Sequence, residues 1–505
     1  MSYVPAFEYK NILEIILNHV DADQQIWLVG GAVRDYLTGR QVHDLDFAIQ
    51  GDVKTLARRV ANELNAAFYM LNDEHSTARV IWLTPKGKKL VLDFASLRAE
   101  SLESDLIARD FSINAIAIDL RNFSQCIDPC HGVQDLNDKV IRACSDQSCS
   151  DDPIRILRGV RQAVQFGFKI ESKTIFWMKK SVTDLRKISS ERIRDELFQI
   201  FAIRKPHLSM QILERLGALE VLFPFVPALK QEKQSQPHIY SVWEHTIATI
   251  QSLEELTQVL GREYSEADSQ KFWLGKAVLS LGRYRDIFGE FLGGTLHPDR
   301  SIKSLLFFSA FFHDVGKPQC RTVDENGGIH YNGHEQTGCE IFQLYGQELA
   351  LSNPEITWVN TIIKNHMRIH QLAQMDEPLS GKSIYRFFRD CGNGAIGLTL
   401  FSLADTRATY GPALPAEMWK KELDTIRLIL DAYQNQFDTV IDPPRIMDGH
   451  ILKNDYELQP GPIFGELLEA VREEQVIGKI TNRAEADLFV CHWLDEKGIH
   501  YGRDI

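Results

Sequence analysis

The chain has 505 residues, enough for about three or four domains at roughly 150 residues each. Apolar residues make up 44% and charged residues 25%, which excludes a disordered, collagenous or coiled-coil chain. Lys and Arg total 56 against 69 Asp and Glu, a formal charge of −13, so any nucleic-acid surface must be a local basic patch on an acidic protein.

In chain order, residues 8–20 have the apolar spacing of an amphipathic helix, and Ile26–Val29 is a short apolar strand stopped by Gly30-Gly31. A short helix leads to a second strand over Leu45–Ile49, and Val53–Leu64 is helical. Val80–Leu83 and Leu90–Ala95 pair around a turn at Pro85-Lys86-Gly87, and Asn114–Leu120 is a further strand. This mixed region ends in the polar stretch Arg142–Ser150, after which the pattern is helical, beginning with Ile154–Phe166. Three prolines between Pro224 and Pro237 mark a boundary, 238–430 is helical and His-rich, and Ile441-Asp442-Pro443-Pro444 leads to a small C-terminal module. The expected architecture is an α/β head with a small mixed sheet followed by a long all-α body, divided as 1–145, 146–230, 231–430 and 431–505.

The N-terminus lacks the basic-then-apolar pattern of a signal peptide. The longest apolar run, near Leu305–Phe312, is too short to cross a bilayer, so no membrane partner and a cytoplasmic location are expected. The eight cysteines then read as thiols; Cys126, Cys130, Cys144 and Cys149 are close together, but their spacings are loose for zinc.

The informative stretch is Trp27–Ile49, WLVGGAVRDYLTGRQVHDLDFAI. On a strand, Asp44 and Asp46 point to one face. Two carboxylates so close repel unless a cation joins them, and Mg²⁺ takes oxygen ligands that it shares with substrate phosphates. Such a pair is a platform for two-metal phosphoryl transfer. Gly30 and Gly31 let the backbone approach a phosphate at a helix N-terminus, and Arg34 adds a charged clamp. Asp93 is the candidate third carboxylate. D-x-D alone is an ordinary strand end; Gly-Gly-x-x-Arg-Asp followed by D-x-D nine residues after that Asp is far more restrictive.

With that motif the chain resembles the nucleotidyltransferase superfamily that includes polymerase β, and more specifically the class II tRNA nucleotidyltransferase and bacterial poly(A) polymerase family. Later blocks agree in order over about residues 20–230: Arg109-Asp110-Phe111-Ser112-Ile113-Asn114-Ala115, then Asp128-Pro129, Gly132 and Asp135-Leu136, then Asp151-Asp152-Pro153-Ile154-Arg155, then Glu191–Leu197. Two positions depart: Ala108 stands for the first Arg of an R-R-D block, removing one phosphate or ribose contact, and Asp151 stands for Glu. The resemblance implies a polymerase β-like head, Mg²⁺ at Asp44 and Asp46, tRNA and CTP and/or ATP as partners, and Gly30, Gly31, Arg34, Arg109, Asp110 and Asn114 at the nucleotide. It further implies that Asp152 and Arg155 read the base and that Arg158 and Arg161 hold the triphosphate.

The base reading is checkable. A carboxylate only accepts hydrogen bonds and a guanidinium only donates them, so an Asp–Arg pair suits the amine and ring acceptor of cytosine or adenine and rejects guanine and uracil. Only Phe94–Ala108 separates the Asp93 strand from the R-D-F block, where family members that add all of CCA carry a long flexible segment. The shortening resembles the CC-adding subgroup, with A addition, full CCA addition and poly(A) synthesis as alternatives. Residues 168–205 hold ten Lys/Arg against five acids, a local patch suited to RNA phosphates.

A second constellation lies downstream: His245, His313-Asp314, His334, His366 and Asp405. Imidazoles with carboxylates suit Mn, Ni, Fe or Zn. As an ordered set they resemble the HD phosphohydrolases, which implies phosphatase or 2′,3′-cyclic phosphodiesterase activity. A rival of another class is therefore a metal phosphohydrolase whose head only binds RNA. The stretch 256–300 departs from the compact HD pattern and is open to three readings: a cover, a loop or the contact of a homodimer.

Overall fold

The computed structural model describes residues 9–72, 77–85, 87–124, 126–262, 271–375 and 379–502. Residue 8 of the expected first helix, Lys86 of the expected turn and 263–270 of the stretch 256–300 lie outside the described residues. The chain forms two compact units: 1–197 with 208–224, and 198–207 with 225–505.

The first unit is built on a seven-stranded mixed sheet. Its strands are β1 (Gln25–Val29), β2 (Asp44–Gln50), β3 (Ala67–Asn72), β4 (Thr77–Leu83), β5 (Lys89–Ser96), β6 (Ala117–Asp119) and β7 (Cys126–Ile127), in the spatial order β3-β4-β5-β2-β1-β6-β7. β2 and β5 run parallel at the centre, and the other pairs are antiparallel. The expected β4–β5 hairpin is present, running from Thr77↔Ala95 to Leu83↔Lys89. β3 was not legible in the sequence: Tyr69 and Leu71 on its outer face are 52% and 50% exposed, so apolar residues occupy both faces and no alternation shows. The strand expected over Asn114–Leu120 is shorter, because Ser112–Asn114 forms a 3₁₀ turn that swings the chain into β6. Gly132 is indispensable there: a Cβ on it would stand 2.0 Å from the Ser112 carbonyl oxygen. The helix Arg155–Phe166 then follows, ended by Gly167 in the left-handed conformation.

The second unit is largely helical, with small hairpins at Thr295–Ser301 and Thr322–His330. The apolar run is the helix Ile302–Phe312, buried from Ser304 through Phe312, and it forms the core of this unit. Among the described residues no helix is long and apolar enough to cross a membrane. The described part of 256–300 is not a loop, since it forms the helices Phe272–Leu281 and Arg285–Gly293. The C-terminal helices close on their own core, including Leu452, Tyr456, Leu467, Val490 and Leu494.

Candidate functional site

The head site is built where β1 ends and β2 begins. Gly30 has φ +68° and ψ −135°, and the helix Gly31–Leu37 starts directly after it. On β2 the alternation Asp44 exposed, Leu45 buried, Asp46 half-buried, Phe47 buried puts both acids on the open face of the sheet. Asp93 is the register partner of Asp46 on β5, so it shares that face. A Cβ on Gly30 would lie 3.5 Å from Asp46 Oδ2 and 3.3 Å from Arg109 Nη1, so the glycine turn, the acid and the R-D-F arginine converge. Burial, then the neighbouring Asp93 charge, push the Asp46 carboxyl up to about 6, against the pull of Arg109.

That excess of negative charge fits a divalent cation. The geometry is less complete at Asp93, whose two oxygens each accept from Arg79 at 2.8 Å. Among the described residues, groups of three ligand atoms within 4.8 Å of one another occur in the helical unit and not at Asp44, Asp46 and Asp93. Asp44 and Asp46 are therefore the residues here that would hold Mg²⁺, while Asp93 is paired with Arg79, which no motif singled out.

Around this pair runs a polar network. Arg34 donates to Asp35 through Nε and Nη2 and to Asn114 Oδ1 through Nη1 at 2.7 Å, and its guanidinium lies 4.5 Å from the Phe166 ring centre. Asn114 Nδ2 donates to Asp110 Oδ1 and to Gln162 at 3.0 Å each. Arg158 reaches Asp110 Oδ2 at 3.4 Å, and Arg158 and Arg161 both face the buried Glu196. Arg34, Asp110, Asn114, Arg158 and Arg161 thus form one connected wall. Arg158 and Arg161, which the resemblance assigns to the triphosphate, are paired with Asp110 and Glu196 in this structure.

At the expected base reader, Asp152 and Arg155 are adjacent but not bonded, with Arg155 Nε 4.0 Å from Asp152 Oδ2. Asp152 instead accepts from Arg192 Nη2 at 2.7 Å, and its buried Oδ1 has no hydrogen-bond partner. Lys169, Lys173, Lys179, Lys180, Arg186 and Lys187 of the basic stretch are exposed, whereas Arg194 is largely buried against Asp195.

The helical unit brings its six expected residues together from segments up to 160 residues apart. His245 Nε2 lies 2.8 Å from Asp405 Oδ1, and His313 Nε2 lies 3.2 Å from Asp314 Oδ2. On the other side of Asp314, His334 Nε2 is 3.5 Å and His366 Nε2 3.9 Å from Oδ1. His313, His334 and His366 each use Nδ1 on the carbonyl three residues earlier, at 2.9, 2.8 and 2.7 Å. With Nδ1 donating in those bonds, Nε2 of each ring faces inward, the orientation a metal ligand needs. The His334 and His366 Nε2 atoms face each other at 3.3 Å, an arrangement of two acceptors that suits a shared cation. Two triads, His245-His313-Asp314 and Asp314-His334-His366, share Asp314, so the donor set fits one or two transition metals. Burial disfavours charge on His313, yet Asp314 and Asp405 push it up to about 10; burial and His334 hold His366 down at about 3. Sequence reasoning missed Lys317, whose buried Nζ donates to Asp314 Oδ2 at 2.6 Å; its i,i+3 spacing from Asp314 was the available signal.

Known proteins agree with this geometry. A family described as "Poly A polymerase head domain" matches residues 26–142, and "Probable RNA and SrmB- binding site of polymerase A" matches 167–229. The chain is 28% identical over 477 residues to the A-adding tRNA nucleotidyltransferase of Deinococcus radiodurans, covering 93% of this chain and 95% of the relative. It is 26% identical over 473 residues to the CC-adding enzyme of Thermus thermophilus, covering 92% and 93%. It is 34% identical over 362 residues to the Multifunctional CCA protein of Neisseria gonorrhoeae, covering 70% and 76%. In fold it is similar to a CCA-adding enzyme in its apo form, with TM-score 0.61 and 21% identity over 96% of this chain and 94% of that one. A Thermotoga maritima CCA-adding enzyme complexed with tRNA gives 0.55 and 20% over 96% and 98%. The glycine turn, the paired acids of β2 and the blocks that wall them, taken with these relatives, show that the chain belongs to the class II tRNA nucleotidyltransferase family.

Proposed function

We propose that this protein adds cytidylate to the 3′ end of tRNA from CTP without a nucleic-acid template, stopping after two residues. The observation that carries the choice of base is Asp152 Oδ1, a buried acceptor with no partner. It suits the exocyclic amine of cytosine or adenine and would face a carbonyl on uracil or guanine, leaving a polar group unpaired at roughly 1–3 kcal/mol. Stopping after C is supported by the connection between Asp93 and Arg109. It contains the short helix Leu102–Ile107, whose Leu102 and Leu106 pack into a core with Trp27, Val29 and Ala117, so little chain is free to reshape the pocket for A.

In the reaction the tRNA 3′-hydroxyl oxygen bonds the α-phosphorus of CTP and pyrophosphate leaves. Gly30 lets the backbone approach the phosphates, and Arg109 beside it balances their charge. Asp44 and Asp46 would hold Mg²⁺, which, when bound, acidifies the attacking hydroxyl and neutralises the leaving pyrophosphate. The Arg34–Asn114–Asp110–Arg158 wall orients ribose and phosphates. The exposed lysines from Lys169 to Lys187 supply sequence-independent contact to RNA phosphate.

The test offers tRNA lacking its 3′ end with CTP, ATP, UTP or GTP singly and with CTP and ATP together. Two C from CTP alone, unextended by ATP, is the expected product. Three residues would make it a full CCA enzyme, one A on tRNA ending in CC an A-adding enzyme, and a long ladder a poly(A) polymerase.

A second activity is proposed for the helical unit: hydrolysis of phosphoesters such as 2′,3′-cyclic phosphates on RNA ends. Its support is the convergence of the Nε2 atoms of His313, His334 and His366 on Asp314. His245, His313, Asp314, His334, His366 and Asp405 would hold Mn, Ni, Fe or Zn there, which, when bound, lowers the pKa of water to make a nucleophile. Release of phosphate or ring opening by the purified protein, lost in His313→Ala, is the measurement.

A further inference from the structure

Asp105 is a buried carboxylate, 5% exposed, to which the reaction derived above gives no task. It lies on the short helix Leu102–Ile107, inside the connection between Asp93 and Arg109. Leu102 and Leu106 of that helix pack with Trp27 and Val29 of β1, the strand that ends at Gly30. The two oxygens of Asp105 have different partners. Oδ1 accepts from the backbone N–H of Arg98 at 3.0 Å, which ties the carboxylate to the start of the connection. Oδ2 accepts from Arg109 Nε at 3.3 Å and from Nη2 at 3.2 Å. An ion pair with one member almost out of water is weakly screened by salt.

Those bonds take up the Nε and Nη2 side of the Arg109 guanidinium and leave Nη1 beside Gly30, 3.3 Å from where a Cβ would stand. The same point is 3.5 Å from Asp46 Oδ2. Arg109 thus stands next to an acid proposed to hold Mg²⁺, yet among the described residues its ion pair is with Asp105. An arginine released from Asp105 would have Asp46 within reach. Pairing there would take the guanidinium from the phosphates and the acid from the cation. We propose that Asp105 is a positioning residue for phosphoryl transfer, which presents Arg109 Nη1 to the triphosphate and keeps that guanidinium off Asp46. The inference rests on the reading of Arg109 as a phosphate contact. It gives the connection between Asp93 and Arg109 a task separate from the choice between C and A.

The experiment compares wild type with Asp105→Ala, Asp105→Asn, Arg109→Ala and the double variant Asp105→Ala/Arg109→Ala. It reads the affinity for CTP and for CMP by calorimetry without tRNA, the Mg²⁺ concentration for half-maximal incorporation, and thermal melting. Asp105→Ala should weaken CTP about tenfold and leave CMP, which lacks the β- and γ-phosphates, unchanged. It should also raise the Mg²⁺ requirement, because the freed arginine competes for Asp46. The double variant should bind CTP no more weakly than Arg109→Ala and should return to the wild-type Mg²⁺ requirement, since the competing arginine is gone. Asp105→Asn keeps an acceptor oxygen without the charge and should recover part of both losses; where Asp105→Ala melts too low to assay, it is read in its place. Asp105 variants with wild-type CTP affinity and Mg²⁺ requirement, while Arg109→Ala is weakened, overturn the proposal alone. Equal losses of CTP and CMP, or additive losses in the double variant, also overturn it and leave Asp105 a structural carboxylate. Arg109→Ala binding CTP as wild type overturns the phosphate reading beneath it.

Discussion

Gly30→Ala tests whether the glycine turn faces the reacting phosphates. At φ +68° and ψ −135°, Gly30 sits where a side chain is strained, at a cost of roughly 1–3 kcal/mol. At about 2–4 °C per kcal/mol for a unit of this size, melting should fall by about 2–12 °C. The new methyl would also stand 3.3 Å from Arg109 Nη1 and 3.5 Å from Asp46 Oδ2, filling the space between the charged groups. Gly39 supplies the control: its φ is +67°, and a Cβ there meets nothing within 4 Å, so Gly39→Ala carries backbone strain without the obstruction. Calorimetry should therefore show both variants destabilised. CTP incorporation into truncated tRNA, measured well below both melting points, should fall at least about tenfold only in Gly30→Ala, equivalent to ~1.4 kcal/mol of transition-state stabilisation. Full incorporation by Gly30→Ala would refute the reasoning, and equal losses in both variants would reassign the effect to strain.

Asp46→Ala should abolish incorporation with the circular dichroism spectrum unchanged, because it removes one of the two acids proposed to hold the cation; residual turnover near wild type would count against that role. His313→Ala should eliminate phosphoester hydrolysis and leave incorporation intact, while Asp46→Ala should do the reverse; loss of both activities in either variant would contradict two separate centres. Removing metal with a chelator should lower the melting temperature of the helical unit, since the buried Nε2 atoms of His334 and His366, 3.3 Å apart, would be left facing each other without the cation the site is proposed to hold. Arg300→Ala should cost about 3–5 kcal/mol in a denaturant titration, because it leaves the fully buried Glu355 without its two bonds of 2.6 and 2.9 Å. Burial would raise the Glu355 carboxyl, but Arg300 and Ser352 bring it down to about 2 from 4.5. A depressed carboxyl stabilises the fold above about pH 4.5 and loses that contribution as pH falls toward about 2, and Glu355→Gln should erase this acid-linked loss.

What was legible in the sequence is what the backbone period alone controls. The twofold repeat of a strand put Asp44 and Asp46 on one face, and the glycine pair announced the turn before them. The order of the blocks pointed to the family, and the run Leu305–Phe312, too short for a membrane, was left with a core to form. What only the tertiary structure decided are pairings whose partners are remote in the chain. Arg79 on Asp93 depends on the register of β4 against β5, and Arg192 on Asp152 joins a helix to an extended residue forty positions earlier. Spacing put Arg155, Arg158 and Arg161 on related faces of one helix, but it could not say what packs against them; backbone carbonyls hold Arg155, and Glu196 lies against Arg158 and Arg161. The six metal-ligating candidates could be named from residue type and order. Their meeting around Asp314 required the helices Val242–Leu260 and Ala395–Tyr410 to carry His245 onto Asp405, a closure across 160 residues that no local periodicity encodes.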